Sequence, residues 1–126
     1  MYSRQEISDI LGGSIQPYLP FKGGRVTCGC FRVEEEYNPD APEEVLFGDR
    51  YGGSMPKVEK SAELVYAQGK RGEAVPIFIF RESGKWEYVG DYQCIDLLRD
   101  PVLLRQKMQA YPRRGFITGI LRFEKV

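Results

Sequence analysis

The apolar run from Ala74 to Phe80 constrains the fold more than any other part of the sequence. It reads AVPIFIF, with apolar side chains at successive positions and with the branched and aromatic residues that strands favour. Such a run predicts an interior strand that is covered on both faces. Turn residues at 82–85 and a second extended segment, Trp86 to Cys94, follow it and predict an antiparallel hairpin. The run is also far shorter than the roughly 20 residues that cross a bilayer.

The remaining segments predict an α+β fold. Ser3 and Glu6 have the spacing of a capping box and predict a helix that ends at Gly12. Asp100 followed by Pro101 predicts a second helix start. Further predicted elements are a loop with inward aromatic residues at 14–24, strands at 25–33, 44–47 and 115–126, and a short helix at 57–68.

Together these elements predict one domain over residues 1–126. An N-terminal helix and loop (1–24) would precede a sheet core with a C-terminal helix and closing strand (25–126). The sheet is expected to be curved, mostly antiparallel and barrel-like, with two or three flanking helices.

The absence of histidine removes much of the common catalytic chemistry. Neither a Ser-His-Asp nor a Cys-His arrangement exists, and no imidazole is present to bind a metal. No carboxylate and lysine pattern matches a nuclease site, so we expect neither a catalytic residue nor a cofactor. The three cysteines, Cys28, Cys30 and Cys94, are too few for a four-ligand zinc site and are expected to be buried apolar side chains. Their odd number and the lack of a signal peptide favour the cytoplasm.

The net charge of zero hides an uneven distribution. Residues 1–56 carry five basic and nine acidic side chains, whereas residues 57–126 carry thirteen basic and nine acidic ones. The balance therefore changes from −4 to +4 along the chain and allows a modest basic face. The candidate contacts to a nucleic-acid backbone are Lys57, Lys60, Lys70, Arg71, Arg113 and Arg114.

Aromatic residues on the second strand of the hairpin are the candidate binding group. Trp86, Tyr88 and Tyr92 are spaced to lie on one face, and Asp91 supplies a carboxylate nearby. Aromatic faces that sandwich an unstacked base, with a carboxylate accepting from its amine, are typical of base recognition. Gly90 could change the face that later residues occupy, and a core stripe is the alternative. Asp49 and Tyr51, in the glycine-rich segment 47–54, are further candidates, with an ordinary loop as the alternative.

Three motifs resemble a known group of domains. They are Val45-Leu46-Phe47-Gly48, then Val75 to Phe80, then Lys85-Trp86-Glu87-Tyr88-Val89-Gly90-Asp91-Tyr92. Over residues 25–126 the chain resembles SRA-like members of the PUA-like superfamily that stand ahead of HNH nuclease domains in bacterial restriction-type proteins. The resemblance implies a curved sheet that reads modified or flipped bases in DNA. The histidine-rich HNH motif is absent here, so a stand-alone reader, or a recognition domain cut from a longer protein, is expected. DNA and a nuclease domain or partner protein are its expected partners.

Three classes of function therefore stay open. The first is a non-catalytic nucleic-acid-binding module that reads a modified or flipped base. The second is a protein–protein or small-ligand interaction domain with no nucleic-acid role, which the acidic segment 34–44 supports. The third, an enzyme, is limited by the missing histidine.

Overall fold

The computed structural model describes residues 1–34, 38–49 and 54–126. In chain order its elements are α1 (Arg4–Leu11), β1 (Phe21–Lys22), β2 (Arg25–Val26), β3 (Gly29–Phe31), β4 (Glu44–Gly48), α2 (Met55–Lys70), β5 (Ala74–Glu82), β6 (Lys85–Leu98), α3 (Pro101–Ala110), a short 3-10 helix (Pro112–Arg114) and β7 (Ile117–Lys125). The predicted α+β class is confirmed.

The main sheet is five-stranded and mixed. Its order is β3-β5-β6-β7-β4, in which β3 runs parallel to β5 and the other neighbours are antiparallel. Strands β3 and β4 form its two edges and do not pair with each other, so the described strands form an open sheet and not the expected barrel. Part of the reason lies at β3, where the Cys30 N–H donates to the Tyr18 carbonyl over 2.8 Å. The preceding loop thereby occupies the edge that a closed barrel would need.

The helices pack on both faces of this sheet. On one face α2 buries Val58, Ala62 and Val65 against a large core that includes Ile77 of β5. On the other face Ile7 of α1 packs in a second cluster. A third cluster, on the same face as the second, holds Leu104 of α3 against β4 and β7. The prediction that the 74–80 run is interior and covered on both faces is confirmed.

Local signals set the helix starts. Ser3 Oγ accepts from the Glu6 N–H over 3.1 Å, and Glu6 Oε1 accepts from the Ser3 N–H over 3.0 Å, which is the predicted capping box. Asp100 caps α3 through the Val102 N–H over 3.2 Å, with Pro101 in the first turn, as predicted. Among the described residues no helix is both long and apolar enough to cross a membrane.

Two regions differ from the prediction. The expected strand at 25–33 is divided into β2 and β3, because β2 pairs with β1 in a separate hairpin that the sequence did not reveal. The helix expected at 57–68 is longer, since it begins two residues earlier at Met55 and ends two residues later at Lys70.

Candidate functional site

A cleft of about 560 Å³ opens where α1, β3 and the β5–β6 hairpin meet. Phe80 and Trp86 supply apolar surface, while Arg4 and Arg32 supply positive charge. Its volume lies within the range of about 300–1,000 Å³ that small-molecule sites occupy. Glu34 is the one acidic side chain among the described residues that line it. The cleft therefore combines aromatic surface with an excess of positive charge.

The position of Arg4 is fixed by the start of α1 and by a hydrogen bond to the following loop. The capping box starts α1 at this residue, and Arg4 Nη2 donates to the Pro17 carbonyl over 2.7 Å. Its guanidinium carbon lies 5.2 Å from the centre of the Trp86 ring. Tyr2 holds Trp86 in place, because their backbones exchange two hydrogen bonds of 2.8 Å. A cation thus sits over an aromatic ring whose own backbone is anchored.

Arg32 repeats this arrangement on a second ring. It follows β3, and its guanidinium carbon lies 4.0 Å from the centre of the Phe80 ring. Phe80 and Trp86 are cross-strand partners with centroids 5.4 Å apart in an edge-on arrangement. Arg32 approaches Glu34 over 3.8 Å, yet 56% of its side chain is exposed. Its guanidinium is therefore available to an incoming anion.

Two buried thiols lie next to the cleft, and one of them lines it. Cys28 and Cys30 are both buried in the cluster that contains Trp86, and Cys30 lines the cleft. The hydrogen bond from Cys30, helped by Thr27 and by the charge of Arg4, lowers the pKa of the Cys28 thiol against the effect of burial. The same thiol–thiol contact, together with burial, raises the pKa of Cys30.

A known protein family matches residues 1–121 of the chain. The matching family is described as Domain of unknown function (DUF6697). The chain belongs to this family. No curated protein and no solved structure is similar enough to count as a match. Because the function of this family is unknown, membership does not indicate what the chain binds or does.

In this DUF6697 domain the predicted aromatic group is divided between the two faces of the sheet. Val89 has no partner in the pairing of β5 with β6, because Phe78 pairs with Tyr88 and the next pair is formed by Gly90. This bulge reverses the alternation of side chains. The predicted single face is therefore wrong: Trp86 lies at the cleft, whereas Tyr92 is buried in the core on the opposite face.

The other candidate base contacts lie outside the cleft lining. Tyr88 is 46% exposed, and its hydroxyl donates to Asp91 Oδ1 over 2.9 Å, which raises the pKa of the Tyr88 phenol. The Asp49 side chain is exposed, while its N–H donates to the Phe116 carbonyl over 2.9 Å. Tyr51 lies outside the described residues.

Arg114 serves the fold. It is buried, with 2% of its surface exposed, and donates to the carbonyl oxygens of Leu46 (3.0 Å) and Asp49. These bonds satisfy one backbone acceptor in the middle of β4 and one just beyond its end. The sequence predicts that Arg114 contacts a nucleic-acid backbone; in the structure the residue is buried, and it also lines the cleft.

The remaining predicted cations do not converge on Trp86. Lys57, Lys60 and Lys70 belong to α2, which covers the opposite face of the sheet. Lys60 lies 5.4 Å from the Phe21 ring centre and Lys70 lies 4.4 Å from that of Tyr66.

The two remaining arginines of that set also lie apart from each other. Arg71 pairs with Glu73 over 3.3 Å just after α2. Arg113 is exposed on the 3-10 helix. The six residues thus form no single basic face.

Sequence reasoning missed both cleft arginines. Arg4 is the first residue of a predicted helix and Arg32 lies in a predicted strand, and neither position by itself indicates a binding site. The available signal was local: Arg32 follows the Cys-x-Cys pair on a strand end, where long side chains reach across to neighbouring strands. Nothing in the linear pattern links either arginine to its aromatic ring.

Proposed function

We propose that this domain binds nucleic acid without catalysis and takes one unstacked base into the Arg4–Arg32 cleft. The observation that carries the proposal is the pair of guanidinium groups, each lying over an aromatic ring in one cleft. Proteins that bind single nucleotides or unpaired bases stack them on aromatic rings or on arginine planes.

The two arginine–aromatic pairs offer stacking surfaces for an unpaired base. Arg32 covers Phe80 at 4.0 Å, so its outer plane offers a flat surface for a base. Trp86, itself covered by Arg4, supplies the neighbouring aromatic edge. A base lodged there would contact two cation–aromatic pairs.

The positive charge of Arg32 offers a contact for a phosphate group of the bound nucleic acid. Arg32 is exposed enough to form a bidentate contact with a phosphate, which guanidinium geometry favours. The scattered lysines of α2 offer no continuous track for a duplex. We therefore propose a local contact with one or two phosphates, and binding should depend weakly on salt.

The finer aspects of the proposal follow from the resemblance to SRA-like domains. A modified base is the proposed ligand, and a DNA-defence role beside a nuclease domain or partner protein is the proposed setting. Tyr88 with Asp91 is a proposed neighbouring contact, which rests on the aromatic spacing of β6 and not on the resemblance. All three cysteines are free thiols, which suits the proposed cytoplasmic location.

The sole tryptophan provides the assay, because Trp86 lies in the cleft and its fluorescence reports on occupancy. Plain, methylated and hydroxymethylated duplexes, the matching single strands and free nucleotides would be titrated at several salt concentrations. We expect saturable quenching and a preference among the duplexes that survives about 150 mM salt. Equal binding to all three duplexes that disappears with salt would contradict the proposal. Saturation by free nucleotides alone would support the small-ligand alternative.

A matched pair of variants tests the site. Arg32→Ala removes a cleft guanidinium, and Arg105→Ala removes an exposed arginine of α3 with the same change in net charge. We expect Arg32→Ala to weaken binding about tenfold, the loss of one charged hydrogen bond, and Arg105→Ala to leave it unchanged. Equal effects of the two variants would show that binding is non-specific.

A further inference from the structure

Cys28 and Cys30 form a pair that the proposed base contact does not use. They are two residues apart on an extended segment, so both side chains point to the same face of the sheet. Ile7, Phe78 and Trp86 complete their cluster. Cys30 also lines the cleft, so one sulfur of the pair borders the open space.

Polar groups surround these two sulfurs within an otherwise apolar cluster. Cys28 and Cys30 belong to one buried cluster, and Thr27 Oγ1 lies 3.7 Å from Cys28 Sγ. Arg4 lines the same cleft as Cys30, and its guanidinium lies over Trp86, which belongs to the cluster of the two thiols. Arg4 Nε is buried without a hydrogen-bond partner, although Nη2 of the same group is satisfied by Pro17. A half-buried cation with one unused buried donor is suited to balance a negative charge beside it.

We propose that Cys28 and Cys30 form a two-coordinate site for a soft monovalent d10 ion of the Cu(I) class. Thiolate sulfur is the ligand that such ions prefer. The inference stands on the thiol pair and Arg4 and does not depend on nucleic-acid binding.

The available ligand atoms disfavour a structural zinc site and a disulfide, the two other common roles of a cysteine pair. Structural zinc takes four ligands, whereas the described residues contain no group of three cysteine, histidine or acidic side chains arranged around one point. A disulfide requires the sulfurs to approach to about 2.05 Å, which two residues on one extended segment reach only by moving the backbone. An ion that binds one sulfur on each side lies between the two sulfurs, so it tolerates a longer separation of the sulfurs than a direct disulfide bond does.

The charges balance in this site. Each thiol loses a proton as its sulfur binds the ion, so one monovalent cation and two thiolates give a complex of charge −1, and two protons leave to solvent. Arg4 supplies the compensating positive charge. A buried complex with that net charge would otherwise be costly to desolvate.

The experiment uses the full chain, reduced and free of oxygen, titrated with Cu(I) against a chromophoric Cu(I) chelator. We expect one ion per chain, with quenching of the nearby Trp86. Cys94→Ser is the matched control, because Cys94 is buried on the opposite face of the sheet. It should bind as the wild type does. Cys28→Ser and Cys30→Ser should each lose at least about 100-fold in affinity, since even outer-shell changes cost 10–100-fold.

The outcomes separate the proposal from its alternatives. Wild-type affinity in both Cys28→Ser and Cys30→Ser, loss of binding in Cys94→Ser, or no uptake by the wild type would each overturn it. X-ray absorption of the wild-type complex tests the same point even where a serine variant does not fold. Two sulfur neighbours at the ion are expected, and a shell with three or more ligands would contradict the two-coordinate site.

Discussion

Gln68 makes the most quantitative prediction about stability. Its side chain is 1% exposed and reaches from α2 to the backbone of β2. Gln68 Oε1 accepts from the Val26 N–H over 2.7 Å, and Gln68 Nε2 donates to the Val26 carbonyl over 3.1 Å. One side chain therefore pairs with Val26 as a neighbouring strand would.

The substitution Gln68→Met keeps the length of the side chain and removes both bonds. The Val26 N–H and carbonyl are then left buried without partners, at about 1–3 kcal/mol each. Part of this loss is offset by the more apolar methionine, at about 0.8 kcal/mol per additional buried methylene. We expect a net loss of about 2–4 kcal/mol, a large fraction of the total stability of a domain of this size.

Urea unfolding followed by circular dichroism measures this loss. With a denaturant slope of about 2 kcal/mol/M, the midpoint should fall by about 1–2 M. Gln106→Met is the control, because Gln106 is exposed on α3 and its replacement should change stability by no more than about 0.5 kcal/mol. Hydrogen exchange gives a local readout, since the Val26 amide should lose its protection in Gln68→Met. A midpoint shift as small as that of the control would refute the reasoning.

Three further predictions follow from burial and close packing. Gly69→Ala should destabilise the protein by about 1–3 kcal/mol in the same urea assay, because the added Cβ would collide with the Cys94 carbonyl oxygen of β6; a wild-type midpoint would contradict this. Tyr92→Ala should cost about 3–5 kcal/mol, whereas Tyr88→Ala, at a half-exposed position, should cost about 1 kcal/mol or less; equal losses would contradict the division of the two residues between core and surface. Burial raises the pKa of the Cys94 thiol to about 12, so at pH 9 this thiol should stay protonated and resist iodoacetamide until urea unfolds the chain; mass spectrometry showing rapid labelling of the native protein would contradict this.

The features that sequence reasoning predicted correctly are local ones. The capping box of Ser3 and Glu6 lies within a single turn, and Asp100 needs only the next two residues to start α3. The run that forms β5 carries enough apolar surface for both faces of a sheet, whatever its neighbours are. Signals of this kind act between residues close in the chain, where spacing alone determines the contact.

The missed features depend on contacts between distant residues. The hairpin of β1 and β2 is too short for a pattern, and Gln68, 42 positions away from Val26, completes it. Likewise, Arg114 resembles a surface cation in the sequence, yet it satisfies carbonyl groups more than 60 positions earlier. The sequence alone does not show that a charged side chain bonds to backbone carbonyl groups, because those carbonyl groups belong to residues far away in the chain.

The bulge at Val89 explains why the candidate site could be predicted only in part. The aromatic spacing of β6 is regular in the sequence, and an unbroken strand would have placed Trp86 and Tyr92 on one face. One unpaired residue reverses that relation, so Trp86 borders the cleft while Tyr92 joins the core beneath α2. Gly90, with φ of +131°, permits the backbone conformation that the bulge requires. The same irregularity that divides the predicted aromatic face therefore leaves Trp86 to the cleft, where Arg4 covers it.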